Sequence, residues 1–245
     1  MINILVFHKI SDRQVDQFED VLASTLMGVL AERRYHFSTL DELPHAPNAE
    51  MRMCLTFDDG NSSDFDFVLP ALRKHSARAT FFIVTKWLDQ PGFLTSVQVR
   101  ELKYSGMQIG SHSMSHPDFR KLTAAQQIRE LVESRKILED LTGAEITSFA
   151  FPYGFKNKPA IAAVLEAGYS YCCTSAHGVL KRPAMVMPRN SIHSGMSTAE
   201  VRRVLAARWG MRLAWKLEDA GKAALKSSLP RAYPAIRALL ARLQS

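Results

Sequence analysis

Three short segments gather the residue types best suited to catalysis. Thr56-Phe57-Asp58-Asp59-Gly60 closes an apolar run with two carboxylates side by side. Adjacent acids repel unless a cation or a proton separates their roles, and a metal bound by one leaves the other free to act as a base. Ser111-His112-Ser113-Met114-Ser115-His116-Pro117 spaces two histidines four apart. If the segment turns helically they share one face, a familiar geometry for chelating one ion. Two neutral imidazoles and one carboxylate suit Zn²⁺, Co²⁺ or Ni²⁺ and leave coordination positions open. In Phe149-Ala150-Phe151-Pro152-Tyr153-Gly154, Pro and Gly fix a turn around Tyr153, whose backbone N–H is a candidate oxyanion donor. Each segment has a plainer reading alone: a solvated Asp-Gly turn, a pair of surface histidines, an ordinary strand-to-loop turn. Their recurrence at the ends of successive apolar runs favours one shared site.

The elements that must position these residues alternate along the chain. Apolar runs at 2–7, 51–57, 78–84, 107–111, 147–151 and 169–174 have the length and side chains of buried strands. Helical periodicity follows Ser11 and Asp12 over 13–34, opens again at Thr123-x-x-Gln126 and stops at Gly143, and covers 158–167 before Gly168. This rhythm predicts an α/β fold with a mostly parallel sheet, either an incomplete (β/α) barrel or an open doubly wound sheet. In both, sites lie at the C-terminal ends of the strands, where the three segments fall. No GxGxxG follows the first strand and no GxxxxGK[ST] occurs, which argues against a nucleotide fold.

Together the segments TFDDG, SHSMSH and FPYG, in this order, resemble the NodB-like polysaccharide deacetylases of carbohydrate esterase family 4 over about residues 2–195. The resemblance implies a distorted (β/α) barrel and metal-assisted hydrolysis of N-acetyl groups on a sugar polymer or glycolipid. It implies Asp58 as general base, Asp59, His112 and His116 as ligands of a divalent metal (Zn²⁺, with Co²⁺ or Ni²⁺ as alternatives), and the Tyr153 amide in the oxyanion hole. Two departures matter. Family members with the usual motif order carry arginine two residues before the proline, where this chain has Ala150, and a general-acid histidine late in the domain. The opening Ile4-Leu-Val-Phe-His8-Lys resembles instead the first strand of the permuted subgroup typified by poly-N-acetylglucosamine deacetylases, which points to His8 as the acid over His193. Arg189, after Pro188, is then the candidate cation to pair with Asp58. Hydrolysis of another non-peptide C–N bond, or a silent carbohydrate-binding relative, are the alternative functions.

The 245 residues, 47% hydrophobic and 22% charged, have an ordinary globular composition. No apolar run approaches the ~20 residues of a membrane span, and the apolar start reads as a strand and not a signal peptide. Cys54, Cys172 and Cys173 form neither a zinc spacing nor a disulfide framework, and the expectation is a cytoplasmic protein. Net charge is +7, yet residues 201–245 hold ten Lys/Arg against Glu218 and Asp219, leaving the first 200 residues near neutral. The expected organisation is a deacetylase domain over 1–197 and a basic amphipathic helical extension over 198–245. The extension either packs on the domain or docks, through residues 200–245, on the anionic inner face of the cytoplasmic membrane. No nucleic-acid motif is present, and no such partner is expected.

Overall fold

Side chains alternate along a strand, so a strand buried on both faces must be apolar at nearly every position. The first run obeys this: Ile2–Phe7 is buried throughout and forms β1. The computed structural model describes residues 1–10, 18, 35–45, 51–193 and 196–206. After β1 come β2 (Tyr35–Phe37), β3 (Met51–Phe57), helix α1 (Leu69–Lys74), β4 (Ala79–Ile83), α2 (Ser96–Tyr104) and β5 (Gln108–Ser111). Then follow α3 (Ala124–Thr142), β6 (Ser148–Ala150), α4 (Lys158–Glu166), β7 (Tyr171–Cys173), β8 (Val179–Leu180), β9 (Val186–Met187), β10 (Asn190–Ser191) and α5 (Thr198–Ala206). The helix expected over 13–34 lies outside the described residues except for Phe18, which is helical and buried.

Among the described residues, all strands join one ten-stranded sheet whose main path runs β10-β1-β3-β4-β5-β6-β7-β9. Every pairing on that path is parallel, and β8 runs antiparallel on β1. The two ends of the path, β9 and β10, are separated by only Pro188 and Arg189. The segment 186–191 therefore touches both edges and nearly closes the sheet into a barrel, as the family resemblance implied.

The alternation sorts the core into two. One set (Leu5, Phe7, Leu55, Phe57, Phe81, Ile83, Phe149) faces the helices and packs on Leu72, Leu102, Leu131 and Val164. Phe7, Phe57 and Phe81 stack across β1, β3 and β4 with centroids 5.2 and 5.0 Å apart. The other set (Ile2, Ile4, Cys54, Phe82, Ala150, Cys173, Met187) fills the barrel interior. Gly110 belongs to this interior, and a Cβ there would lie 2.6 Å from two Phe82 ring carbons. Helix α5 docks on the barrel through Val201, Val204 and Leu205, and the Asn3 side-chain amide donates to the Val204 and Leu205 carbonyls at 3.1 and 3.4 Å. The remainder of the basic extension, 207–245, lies outside the described residues.

Candidate active site

Strand parity decides which carboxylate enters the barrel. Thr56 and Asp58 share the interior-facing side of β3, so the chain carries Asp58 inward at the strand's C-terminal end, where it is only 3% exposed. Its amide donates to the Phe7 carbonyl at 3.0 Å, extending the β1–β3 pairing by one step. Asp59 then takes φ 79°, a left-handed conformation rare outside glycine, which turns the chain away from the strand.

Arg189, in the closing segment between β9 and β10, grips Asp58 with both ends of its fork. Nη1 donates to Oδ1 at 2.6 Å and Nη2 to Oδ2 at 2.7 Å. Nη1 also donates to Thr56 Oγ1 at 3.1 Å, and Nε to the Thr174 carbonyl at 3.3 Å. A buried ion pair is stable only with such complete pairing. Burial by itself would push the Asp58 carboxyl up; the Arg189 charge, with His112 and the Arg189 hydrogen bonds, overrides it and holds the carboxyl far below the ordinary range. Asp59 has the opposite balance: burial and the Asp58 charge push its carboxyl up to about 6 against the weaker pull of His8 and Arg189.

His112 continues β5 by one residue and is 2% exposed. Its Nδ1 lies 2.8 Å from the Ala150 carbonyl. An Nδ1–H donated there fixes the tautomer and leaves the Nε2 lone pair facing the aspartates, 3.6 Å from Asp59 Oδ1. Burial pushes the imidazole pKa down to about 3, so the ring is neutral, as a metal ligand must be. His116 Nε2 lies 3.5 Å from the same Asp59 oxygen. One ligand atom from each of Asp59, His112 and His116 falls within 4.8 Å of the others. The donor set and this spacing fit a divalent ion.

The helical turn expected to bring the two histidines together is corrected by the structure. Residues 112–116 form a bent loop, with Ser113 at φ 73° and His116 at φ 60°. Left-handed residues reverse the chain within the segment, so the rings meet by loop curvature and not by helical periodicity. The ring centroids are 4.8 Å apart.

Tyr153 sits in the turn Pro152–Gly154 at φ 58°. Its half-exposed ring packs on His116 at 4.5 Å, and Trp87 packs on His116 at 5.1 Å. Trp87 in turn meets Phe93 at 4.8 Å, so an aromatic rim borders the ligand group. Sequence reasoning passed over Trp87 and Phe93; the signal was a tryptophan and a Pro-Gly-Phe turn just beyond an apolar strand. His8 is exposed at the C-terminal end of β1, on the same edge of the barrel, and its charge bears on both Asp58 and Asp59. His193 is exposed beyond β10, and its charge bears on Glu200 instead. Where the usual arginine was missed, Ala150 is buried in the barrel interior beside Cys173, and Arg189 supplies the guanidinium from another strand end.

A strand-end carboxylate held by arginine thus lies beside an Asp-His-His group whose spacing could hold a metal ion, on a nearly closed parallel barrel. The family model for polysaccharide deacetylase matches residues 45–172, just over half of the chain, and the chain belongs to that family. Among curated relatives, the peptidoglycan-N-acetylglucosamine deacetylase PgdA of Listeria monocytogenes is 36% identical over 130 residues, which is 51% of this chain and 27% of that protein. The matched stretch spans 54% or less of the length of such relatives. Two solved structures share the fold. The deacetylase PplD of Streptococcus pyogenes superposes with a TM-score of 0.70 at 22% identity, covering 83% of this chain and 97% of that one. IcaB from Ammonifex degensii gives 0.69 at 21% identity, covering 84% and 95%.

Proposed function

We propose that this protein is a metal-dependent N-deacetylase of an acetylated amino-sugar glycan or lipid-linked glycan precursor, releasing acetate and a free amine. The observation that carries the reading is the pairing of Asp59, His112 and His116 within 4.8 Å of one another beside an Arg189-clamped Asp58. Family membership and the name of the Listeria relative support the substrate class.

In this reading Asp59, His112 and His116 hold the ion, with Zn²⁺ preferred by the donor set and Co²⁺ or Ni²⁺ as alternatives. The ion, when bound, supplies Lewis acidity toward the amide carbonyl and toward an attacking water. Asp58 takes the water's proton. Arg189 occupies one lone-pair direction on each Asp58 oxygen, and a carboxylate offers about four, so acceptor capacity remains. The Tyr153 backbone N–H stabilises the developing oxyanion. His8 protonates the departing amine; its place at the β1 end and its influence on both aspartates support it over His193. Asp58→Asn and His8→Ala abolish acetate release from N-acetylglucosamine oligomers with metal content intact, whereas His112→Ala and His116→Ala lose the metal. Full turnover with Asp58→Asn would remove the base assignment. Ammonia or another amine released in place of acetate would favour hydrolysis of a different non-peptide C–N bond.

The basic stretch 207–245 mixes Trp209, Trp215 and many Lys/Arg at helical spacing, which supports docking on an anionic membrane face and action at the inner leaflet of the cytoplasmic membrane. Among the described residues no helix is long and apolar enough to cross a membrane. Co-sedimentation with phosphatidylglycerol-containing liposomes, lost on removal of 207–245 and weakened by salt, checks this; equal sedimentation without the stretch overturns it.

A further inference from the structure

The loop that carries the two histidines has an unusual backbone. Four consecutive amides, those of residues 113–116, find side-chain acceptors. Ser113 N–H donates to Ser111 Oγ at 3.2 Å and His116 N–H to Ser113 Oγ at 2.9 Å. Between them, Met114 N–H and Ser115 N–H both donate to Glu130 Oε2, at 2.9 and 2.8 Å, while Ser115 Oγ donates to Glu130 Oε1 at 2.5 Å. Glu130 is 8% exposed and lies on helix α3, whose outer residues are exposed but whose buried face should be apolar. It is apolar at Leu131 and Leu138, yet Gln127, Glu130 and Ser134 are buried on the same face. Their spacing of three and four residues stacks them in one row. Each binds the chain around the site: Gln127 Nε2 donates to the Phe119 carbonyl at 2.7 Å, and Ser134 Oγ lies 2.8 Å from Ser111 Oγ.

A buried carboxylate is costly unless its oxygens are filled, and two left-handed non-glycine residues strain one loop. Such a loop persists only where its surroundings over-determine it. We infer that Glu130 is a positioning residue for the metal site. By clamping the Met114 and Ser115 amides from α3, it fixes the loop curvature that brings His116 to His112 and Asp59. The inference rests on those three residues holding a divalent ion.

Substitution of Glu130 separates a positioning role from a merely structural one. In Glu130→Gln the amide oxygen at the Oε2 place accepts both N–H groups and the NH₂ donates to Ser115 Oγ, so the clamp survives. In Glu130→Ala it is lost. Titration of Co²⁺ into chelator-stripped protein, followed by calorimetry and by the visible absorption of the bound ion, reads the site directly. Glu130→Gln binds Co²⁺ within a few-fold of wild type with an unchanged spectrum. Glu130→Ala, in the folded fraction, binds about 10- to 100-fold more weakly with an altered spectrum. Wild-type affinity and spectrum in Glu130→Ala would overturn the inference while leaving the metal site standing. If Glu130→Ala does not fold, Ser115→Ala, which removes one bond of the clamp, takes its place: several-fold weaker binding supports the role and wild-type binding overturns it. Wild-type protein that binds no Co²⁺, or binds it equally after His112→Ala, overturns the site and this inference together.

Discussion

Asp58 and Asp59 are neighbours in sequence with opposite electrostatics, because one side chain stays on the strand's inward face and the other follows a left-handed turn. The first meets Arg189 and the second meets two imidazoles. Removing Arg189 leaves a buried carboxylate without its partner, which costs about 3–5 kcal/mol. Arg189→Ala should therefore unfold at markedly lower urea, and the double variant Asp58→Ala/Arg189→Ala should recover part of the loss, since the stranded charge is gone. A double variant as unstable as the single one would mean that Arg189 matters through its packing on Phe82, whose ring centroid lies 5.4 Å away. Asp64 shows the reverse case. It is fully buried, and burial together with the Asp59 charge outweighs a backbone hydrogen bond from Asn61 and pushes its carboxyl well above the ordinary 3.8. The folded state then holds a proton that the unfolded state releases above 3.8, so stability falls as pH rises from there toward the raised folded value. Asp64→Asn reduces that slope, leaving the part that Asp59 contributes as pH rises toward about 6. In chelator-treated protein the variant should match wild type near pH 3.5 and exceed it in urea unfolding at pH 7; a less stable variant at pH 7 would contradict the account.

At the level of elements, much was legible because burial on both faces leaves a strong mark. The six apolar runs became β1, β3, β4, β5, β6 and β7, and Thr123-x-x-Gln126 forms the reciprocal capping box that starts α3, with Gly143 in the left-handed conformation at its end. The shortest strands were not legible. β8, β9 and β10 have two residues each, too few for any period, and their pairing is decided by where the chain must cross to close the barrel. The same limit hid Glu130: a lone acid in a helix reads as solvent-facing until the loop it clamps is placed above it. His112 and His116 were found by their spacing, although a loop and not a helix brings them together. Gly110 was equally silent in the sequence and is explained by its neighbour. Gly110→Ala sets a methyl 2.6 Å from Phe82 ring carbons and should cost about 1–3 kcal/mol by overpacking. Adding Phe82→Leu should return part of that stability in thermal unfolding; no recovery would place the strain on the Ser148 carbonyl, 3.1 Å from the same Cβ.

On the scale of the whole molecule, the site is assembled from strand ends that are distant in sequence. Asp59 follows β3, the two histidines follow β5, and β4 lies between these strands in the sheet. Arg189 arrives from the segment that closes the barrel. An ion held by Asp59, His112 and His116 therefore ties β3 to β5 across β4, a link that the unfolded chain lacks. Binding to the folded state alone adds about 2.7 kcal/mol at a hundredfold excess over Kd. For a domain of this size that corresponds to a melting temperature about 5–10 °C higher. Stripping the protein with a chelator should lower its melting temperature by this amount relative to protein with free Zn²⁺ at a hundredfold excess over Kd, and returning that Zn²⁺ should restore it. His116→Ala, which removes one ligand together with its ring contacts to Trp87, His112 and Tyr153, should melt at or below the stripped wild-type protein and equally with and without Zn²⁺. A Zn²⁺-dependent rise of equal size in His116→Ala would show that the stabilising ion binds elsewhere, and would separate the strand-tying link from the residues assigned to it.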